Sequence, residues 1–586
     1  MITERPPDLA GSKVILWTNP ARCRDCNRCV RGCLAKAIRK EGHQAKVVPE
    51  KCLLCGRCIR ECPQGAKVYL DETGLVSAMF KGTSPVIVSL APSYLAAFSP
   101  AEIRGLPSVL RQLGFALVTE TAVGAELSAR AARAIMDKNP QGRYIYTACP
   151  AVVSYIQQRK PELSPLLLPV ASPMIAHGRY LKATYGQDIK VVFIGPCLAK
   201  KAEALGETHP PGVDAVLTFA ELKKWLQLKK LNPLLAEEST FNDVTSLPAA
   251  YFPLSGGFAR TAGHTTDRLD QLLIAASGTE AVREAVEFVA DSQDPLVLEA
   301  MMCPEGCLGG VGMGCQENPL ALRRAFLNTI AELTAFPTLQ ESLKAEEINL
   351  DLTKNYYLEP ARVSLPDETQ IRQVLTKMGK YEPQDELNCG ACGYDTCKEK
   401  ALAVLAGMAE IEMCLPFMRH HAEMQTDAII MNSPSAIVIL NRDLKIVHAN
   451  PKFQEMFMTS DYCRGKHINY FINPEPFQRV LQGQAEIYNE TVHHNSYGLY
   501  CQQLVYKIGV EEGVQLVGIL VNLTRSKRQE SELDLLRKET LMRAEQVVDR
   551  QVEIAQEVTR LLGRSAAETS TILAALTDLV KRKEGD

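Results

Sequence analysis

The 586-residue chain has only 2 tryptophans and 6% aromatic residues, no excess charge of either sign, and no long uninterrupted apolar run. Each scarcity excludes something. A formal net charge of -3, from 65 Lys and Arg against 68 Asp and Glu, leaves no basic footprint for a nucleic-acid partner. The apolar stretch from Leu163 to Ala176 is broken by Pro165, Pro169 and Pro173, and no run reaches the roughly 18 residues that a membrane span needs. The segment Met1 to Leu16 mixes Glu4, Asp8 and Lys13 with two prolines, so it lacks the basic and apolar regions of a signal peptide. A cytoplasmic protein is expected. No Walker loop or kinase ATP-binding signature is present, and no low-complexity tract.

Cysteine, by contrast, is abundant, at 19 residues. In a reducing compartment dense cysteine means metal or redox chemistry before disulfides. Sixteen of the cysteines fall into three spaced groups. Cys23, Cys26, Cys29 and Cys33, followed by Cys52, Cys55, Cys58 and Cys62, write C-x2-C-x2-C-x3-C twice, which is the two-cluster bacterial ferredoxin pattern. Cys149, Cys197, Cys303 and Cys307 are dispersed, each in a short segment bearing Pro or Gly. Cys389, Cys392, Cys397 and Cys414 are compact. Thiolates are soft donors suited to iron in clusters; a tetrahedral zinc site is the alternative, weightier for the third group than for the first.

Length predicts about three to five domains. Residues 1–80 hold the ferredoxin pattern with short β-prone segments. Residues 81–350 alternate apolar strands (Val86 to Leu90, Tyr144 to Tyr146, Val191 to Ile194) with helical stretches (Leu127 to Asp137, Ala220 to Leu228), the rhythm of an α/β domain. Residues 351–424 are a connector, with some helix from Lys344 to Glu386, leading into the third cysteine group. Residues 425–525 place strands at Ala436 to Leu440, Lys445 to His448, Gly498 to Ile508 and Gln515 to Leu523, with a helix after Ala449 and Asn450; this order resembles a PAS domain. In the helical residues 526–586, Leu541, Ala544, Val548, Ala555, Val558 and Leu562 fit a coiled-coil seam, or else one amphipathic helix packed on its own domain. The expected fold class is multidomain α+β and α/β.

The contexts of the dispersed group are Thr147-Ala148-Cys149-Pro150, Gly195-Pro196-Cys197-Leu198-Ala199-Lys200-Lys201-Ala202-Glu203 and Met301-Met302-Cys303-Pro304-Glu305-Gly306-Cys307. With Ala91, Pro92, Ser93, Ser172 and Pro173, they resemble the active-site motifs of the [FeFe]-hydrogenase family over about residues 85 to 350. The resemblance implies an H-cluster, a [4Fe-4S] cube sharing a cysteine sulfur with a diiron unit that carries carbonyl and cyanide. Cys149, Cys197, Cys303 and Cys307 match the cube ligands, Cys307 the bridging one; Lys200 matches a lysine donating to a cyanide, and Met301 would line the diiron pocket. The ferredoxin pattern implies one cluster on Cys23, Cys26, Cys29 and Cys62 and another on Cys52, Cys55, Cys58 and Cys33.

Departures matter as much. Where catalytic members carry a proton-relaying cysteine, this chain has Ala148; Ser128 and Ala131 stand for paired glutamates of the proton path, Leu168 for a serine, and Gly195 for a pocket methionine, while Glu203 survives. Positioned proton transfer contributes roughly 10²–10⁴-fold, so slow turnover with retained hydrogen binding is expected. The third group resembles a [4Fe-4S] module of redox and corrinoid-linked proteins. The domain order resembles sensory [FeFe]-hydrogenases of anaerobic metabolism: H2 or electrons act at the H-cluster, and the PAS-like part and tail signal to a separate effector such as a kinase or phosphatase, in a homodimer. The alternatives are a slow working hydrogenase and an iron-sulfur scaffold without the diiron unit. Cys315, Cys463 and Cys501 are read as buried thiols, His420, His421, His493 and His494 as solvated, and the lysines between Glu221 and Lys230 as one charged helix face.

Overall fold

The computed structural model describes residues 2–3, 13–206, 212–243, 247–264, 272–314, 317–334, 350–356, 366–509, 513 and 515–581. Cys315 and most of the expected connector lie outside them. The chain divides into two compact units, Met1–Met418 and Arg419–Asp586.

In the first unit, each half of the ferredoxin pattern runs through a 3-10 turn, Pro20–Arg22 or Pro49–Lys51, into a short helix, Arg28–Arg31 or Arg57–Glu61. Both helices are entered through a left-handed residue, Asn27 (φ 56°) and Gly56 (φ 74°). The strands Ile38–Glu41 and Gln44–Val47 form a hairpin whose turn residues Gly42 and His43 both have positive φ, the backbone of a tight two-residue turn. Strand Lys67–Leu70 pairs antiparallel with Leu16–Thr18 and parallel with Ile2–Thr3.

Beyond it lie two parallel sheets. One has the order Ala215–Thr218, Lys190–Gly195, Val86–Leu90, Leu117–Glu120; the other runs Leu273–Ser277, Leu296–Met301, Arg143–Ile145. Val86–Leu90 and Leu296–Met301 are buried at every position, as strands covered on both faces must be, which is why they read as continuous apolar runs. The main core gathers Val88, Leu106, Leu110, Ile175, Val192 and Phe219. Helices Ala122–Met136 and Pro173–Tyr185 cross at Gly124, where a Cβ would stand 2.1 Å from the Pro173 carbonyl oxygen and 2.6 Å from His177 Cβ. Helix Phe219–Leu228 starts in a capping box in which Thr218 and Glu221 bond each other's backbone. Glu221 is therefore no part of a solvated face: it is fully buried against Lys201, 3.0 Å away.

The third cysteine group folds onto the ferredoxin part. Tyr394, Ala409 and Met413 share a core with Cys29, Val30 and Ile38, and Lys36 Nζ donates to the Gly393 carbonyl at 2.5 Å.

The second unit is PAS-like, with an antiparallel sheet ordered Ile446–Ala449, Ala436–Leu440, Gln515–Asn522, Leu499–Ile508, Ile487–His494. Phe453, Phe457 and Phe477 fill it, with Cys463 and Cys501 fully buried as expected. Buried Asn450 pins the fold: its Oδ1 accepts from the Ile437 and Phe453 amides at 2.8 and 3.0 Å, and its Nδ2 donates to the Ile430 and Ser435 carbonyls at 3.0 and 2.9 Å. Strand Ile487–His494 was absent from the sequence reading, because its alternating polar residues carry little apolar signal. His494, expected in solvent, is buried edge-on to Phe457, whereas His493 stacks on Tyr500 at the surface. The tail is one helix, Thr524–Lys581, exposed at every residue from Arg525 to Asp578, so it does not pack on its own domain.

Candidate cofactor site

In a parallel sheet the loops leaving the strands all emerge at one edge, and ligands gather beyond those carboxyl ends. Here Val86–Leu90 leads to Ser93, Leu117–Glu120 to Thr121, Lys190–Gly195 to Cys197, Arg143–Ile145 to Ala148 and Cys149, and Leu296–Met301 to Cys303. Residues 150 positions apart thereby line a single pocket with about 700 Å³ of non-atom space, its mouth included. Cys149, Cys197, Cys303, Cys307, Lys200 and Met301 all reach it. Cys149 stands at the start of helix Pro150–Arg159, with proline in the first position where no amide bond is lost. Cys307 sits in the turn Gly306–Gly309; a Cβ on Gly306 would lie 2.3 Å from the Pro253 carbonyl oxygen, so the backbone must pass close there.

Burial pushes the Cys197 thiol up to about 11, with Cys149 adding and Lys200 opposing. Cys303 and Cys307 are raised by burial and by the neighbouring Cys197 and Cys149. Four thiols that cannot easily ionise alone, packed together, are a site for a cation that displaces their protons. Soft thiolate donors of this kind suit iron in a cluster.

Lys200 Nζ is buried and held by Ser172 Oγ at 2.9 Å, the Ala148 carbonyl at 3.3 Å and Glu203 Oε2 at 2.6 Å. Burial raises the Glu203 carboxyl, but Lys200, Lys354 and Ser172 outweigh it and hold the group below its ordinary value. Lys354, whose Nζ is 3.5 Å from Glu203 Oε1, was missed by the sequence reading, since nothing in its context marks it. Glu203 itself is spent on Lys200 and Lys354. The departures have structural answers: the Ala148 methyl lines the pocket, and Phe193 lies over Gly195, its ring 2.6 Å from where a Cβ would be. Ser128 Oγ donates to the Ala171 carbonyl at 2.9 Å, Ala131 is half-buried and Leu168 buried. Ser93 Oγ, buried in the pocket wall, finds no protein partner, and an unmet hydroxyl in the same pocket as a buried ammonium suits an anion-bearing group.

In the ferredoxin part, burial raises Cys29, with Lys67 opposing and Cys62, Cys23 and Cys26 adding. Cys52, pushed to about 12 by burial, has Cys55 and Cys33 as neighbours, and Cys58 has Cys52, Cys55 and Cys33. The crossed sets are thus spatial neighbours. Leu34, Leu54, Cys33, Cys52 and Cys55 pack in the same core as Cys149 and Cys197. Arg60 donates to the Gly309 carbonyl at 2.7 Å, tying this part to the Cys307 turn. Cys389, Cys392, Cys397 and Cys414 line a second pocket. Burial draws Lys400 down to about 8 there, against the pull of Cys392 and Cys414.

Three family models match parts of the chain. The family of the iron-only hydrogenase large subunit, C-terminal domain, matches residues 84–311; a 4Fe-4S dicluster domain matches 15–63, and an Fe-S cluster family 385–416. The NADP-reducing hydrogenase subunit HndD of Solidesulfovibrio fructosivorans is 25% identical over 316 residues, 43% of this chain and 54% of that one. The cytosolic Fe-S cluster assembly factor NAR1 of Eremothecium gossypii is 26% identical over 270 residues, 34% of this chain and 59% of that one. The chain spans a little over half the length of these relatives. Among solved structures, apo [FeFe]-hydrogenase HydA1 from Chlamydomonas reinhardtii aligns with TM-score 0.37 and 18% identity, over 46% of this chain and 91% of that one. A PAS domain of an HTR-like protein from Haloarcula marismortui aligns with TM-score 0.16 and 17% identity, over 18% and 94%.

Proposed function

We propose that this [FeFe]-hydrogenase-like iron-sulfur protein senses hydrogen or redox state rather than turning hydrogen over at speed. The observation that carries the reading is the pocket wall, where four cysteines and a buried lysine converge while the position of the relay cysteine presents the methyl of Ala148. In this reading Cys149, Cys197, Cys303 and Cys307 would hold a [4Fe-4S] cube together with a diiron unit. That group, when bound, supplies the chemistry 2H⁺ + 2e⁻ ⇌ H2. Lys200, whose three N–H groups are taken by Ser172, Glu203 and the Ala148 carbonyl, brings its positive charge to the pocket wall for an anionic ligand; Ser93 Oγ offers a free donor; Met301 and Phe193 exclude water. Ala148 can neither take up nor release a proton, so exchange with solvent is slow.

Two ferredoxin clusters, on Cys23, Cys26, Cys29 and Cys62 and on Cys52, Cys55, Cys58 and Cys33, and a further one on Cys389, Cys392, Cys397 and Cys414, carry electrons. The PAS-like unit and its helix carry the signal as a two-state element to a separate effector, a kinase or phosphatase. Infrared spectroscopy of anaerobically matured protein tests the reading. Cyanide and carbonyl bands that shift under H2, with low turnover, are expected. No bands after competent maturation would leave an iron-sulfur scaffold, as the similarity to an assembly factor also allows.

A further inference from the structure

Protons released in a pocket walled by a methyl group need another way out, and a file of polar side chains leaves this pocket from Thr121. Thr121 lines the pocket at the end of strand Leu117–Glu120. Its Oγ1 lies 2.7 Å from Ser89 Oγ, and Ser89 Oγ lies 2.8 Å from His177 Nδ1. On the far side of the ring, His177 Nε2 faces Asp243 Oδ2 at 3.6 Å, just beyond hydrogen-bond distance, and neither atom has another hydrogen-bond partner, so a small approach of the two closes this step. Ser89 and His177 are fully buried, and Asp243 is half-buried. Asp243 is also bonded by Tyr185, whose ring is 41% exposed. The file therefore runs from the pocket wall to the surface without a break wider than the last step.

We propose that Thr121, Ser89, His177 and Asp243 form a proton wire serving the pocket, resting on the hydrogen-binding reading above. The polarity of the wire is set by its ends. An Asp243 carboxylate can only accept, so it favours the tautomer with the proton on Nε2; Nδ1 is then the acceptor of the Ser89 hydroxyl proton, and Ser89 the acceptor from Thr121. Thr121 is left with lone pairs towards the pocket. A proton arriving at Thr121 Oγ1 forms one O–H bond there as the threonine's own proton passes to Ser89, that of Ser89 to Nδ1, and that of Nε2 to Asp243 and on to water. Thr121, Ser89, the His177 ring and Asp243 each gain one proton and lose one, the ring ending with its proton on Nδ1 until it returns to the Nε2 tautomer, and no electrons move. Electrons from H2 leave separately, through the iron-sulfur groups. A purely structural role would call for one satisfied histidine; it does not call for a hydroxyl pair linking that histidine to the pocket.

The test uses the full chain, matured anaerobically. Exchange of D2 with solvent protons is measured alongside the infrared bands in Ser89→Ala, Asp243→Asn and the conservative Ser89→Thr. Expected are unchanged bands, exchange slowed by roughly 10²–10⁴-fold in Ser89→Ala and Asp243→Asn, and a rate near the parent in Ser89→Thr. Parent-like exchange in Ser89→Ala and Asp243→Asn with intact bands overturns the wire, as does a banded parent that exchanges nothing. A parent without bands would instead defeat the hydrogen reading, and the wire is then judged on ¹⁵N-histidine spectra of the unloaded protein. A proton on Nε2, and an Nδ1 shift that moves in Ser89→Ala, support it. A proton on Nδ1, or a shift indifferent to Ser89→Ala, overturns it.

Discussion

Single side chains decide how fast the pocket could trade protons. Ala148→Cys would restore a sulfur where its methyl now lines the pocket, and turnover in fully loaded protein should rise by roughly 10²–10⁴-fold; an unchanged rate at equal band intensity would mean that the relay is not what limits it. Glu299 makes a different prediction. Burial pushes its carboxyl from 4.5 up to about 7, against the amides of Ala259, Phe258 and Gly256 that bond it. A carboxyl raised in the folded state contributes stability below pH 4.5, and that contribution fades as pH climbs through about 7. The loss is on the order of 3 kcal/mol at full ionisation. Thermal unfolding should show the parent weakening across this window and Glu299→Gln lacking the slope. The sixteen grouped cysteines, Lys200 and Glu203 were legible in sequence because spacing or motif context marks them. Thr121, Ser89, His177 and Lys354 were not: a lone histidine or serine inside an apolar run looks like packing, and only the crossing of distant elements makes it a neighbour of anything.

At the scale of elements, the strands that read best were those buried on both faces, such as Val86–Leu90 and Lys190–Gly195. Ile487–His494, largely exposed, left no such mark. The crossing of helices Ala122–Met136 and Pro173–Tyr185 depends on the missing Cβ of Gly124. Gly124→Ala must push the helices apart, costing about 1–3 kcal/mol, and because His177 sits at the crossing, its ring resonances should shift in the same variant. A midpoint in denaturant equal to the parent's would contradict the close approach. The tail helix keeps Leu541, Val548, Val558 and Leu562 exposed, a row at seam spacing that two copies would cover. Each buried aliphatic side chain is worth about 1.5–3 kcal/mol. Sedimentation equilibrium should therefore find a dimer that Val548→Lys with Leu562→Lys converts to monomer; identical masses for parent and variant would sink the seam.

Across the first unit, the cysteine groups form one connected interior. Cys33 packs both with the core around Cys149 and Cys197 and with that around Tyr394 and Cys392, so the third group sits beside the ferredoxin part, not at a remove. On the proposed cluster assignment, Cys392→Ala should abolish one [4Fe-4S] signal and slow the electron-spin relaxation of the cluster assigned to Cys52, Cys55, Cys58 and Cys33, as a paramagnetic neighbour disappears; unaltered relaxation would place the two out of reach. Spacing announced each group but not their adjacency, because Lys36 and Gly393, which meet, are 357 residues apart. The same long separations bear on biosynthesis. The eight cysteines of the ferredoxin pattern all lie before residue 63, and the local strand pairing beside them is complete at Leu70. The dispersed pocket has no complete wall until Cys307 is made, since Leu296–Met301 must first slot between Leu273–Ser277 and Arg143–Ile145. Contacts of such range close late. On the ribosome, the eight clustered cysteines are therefore all present while most of the chain is still unmade, whereas the pocket gains its last cysteine only after just over half of the chain has been synthesised.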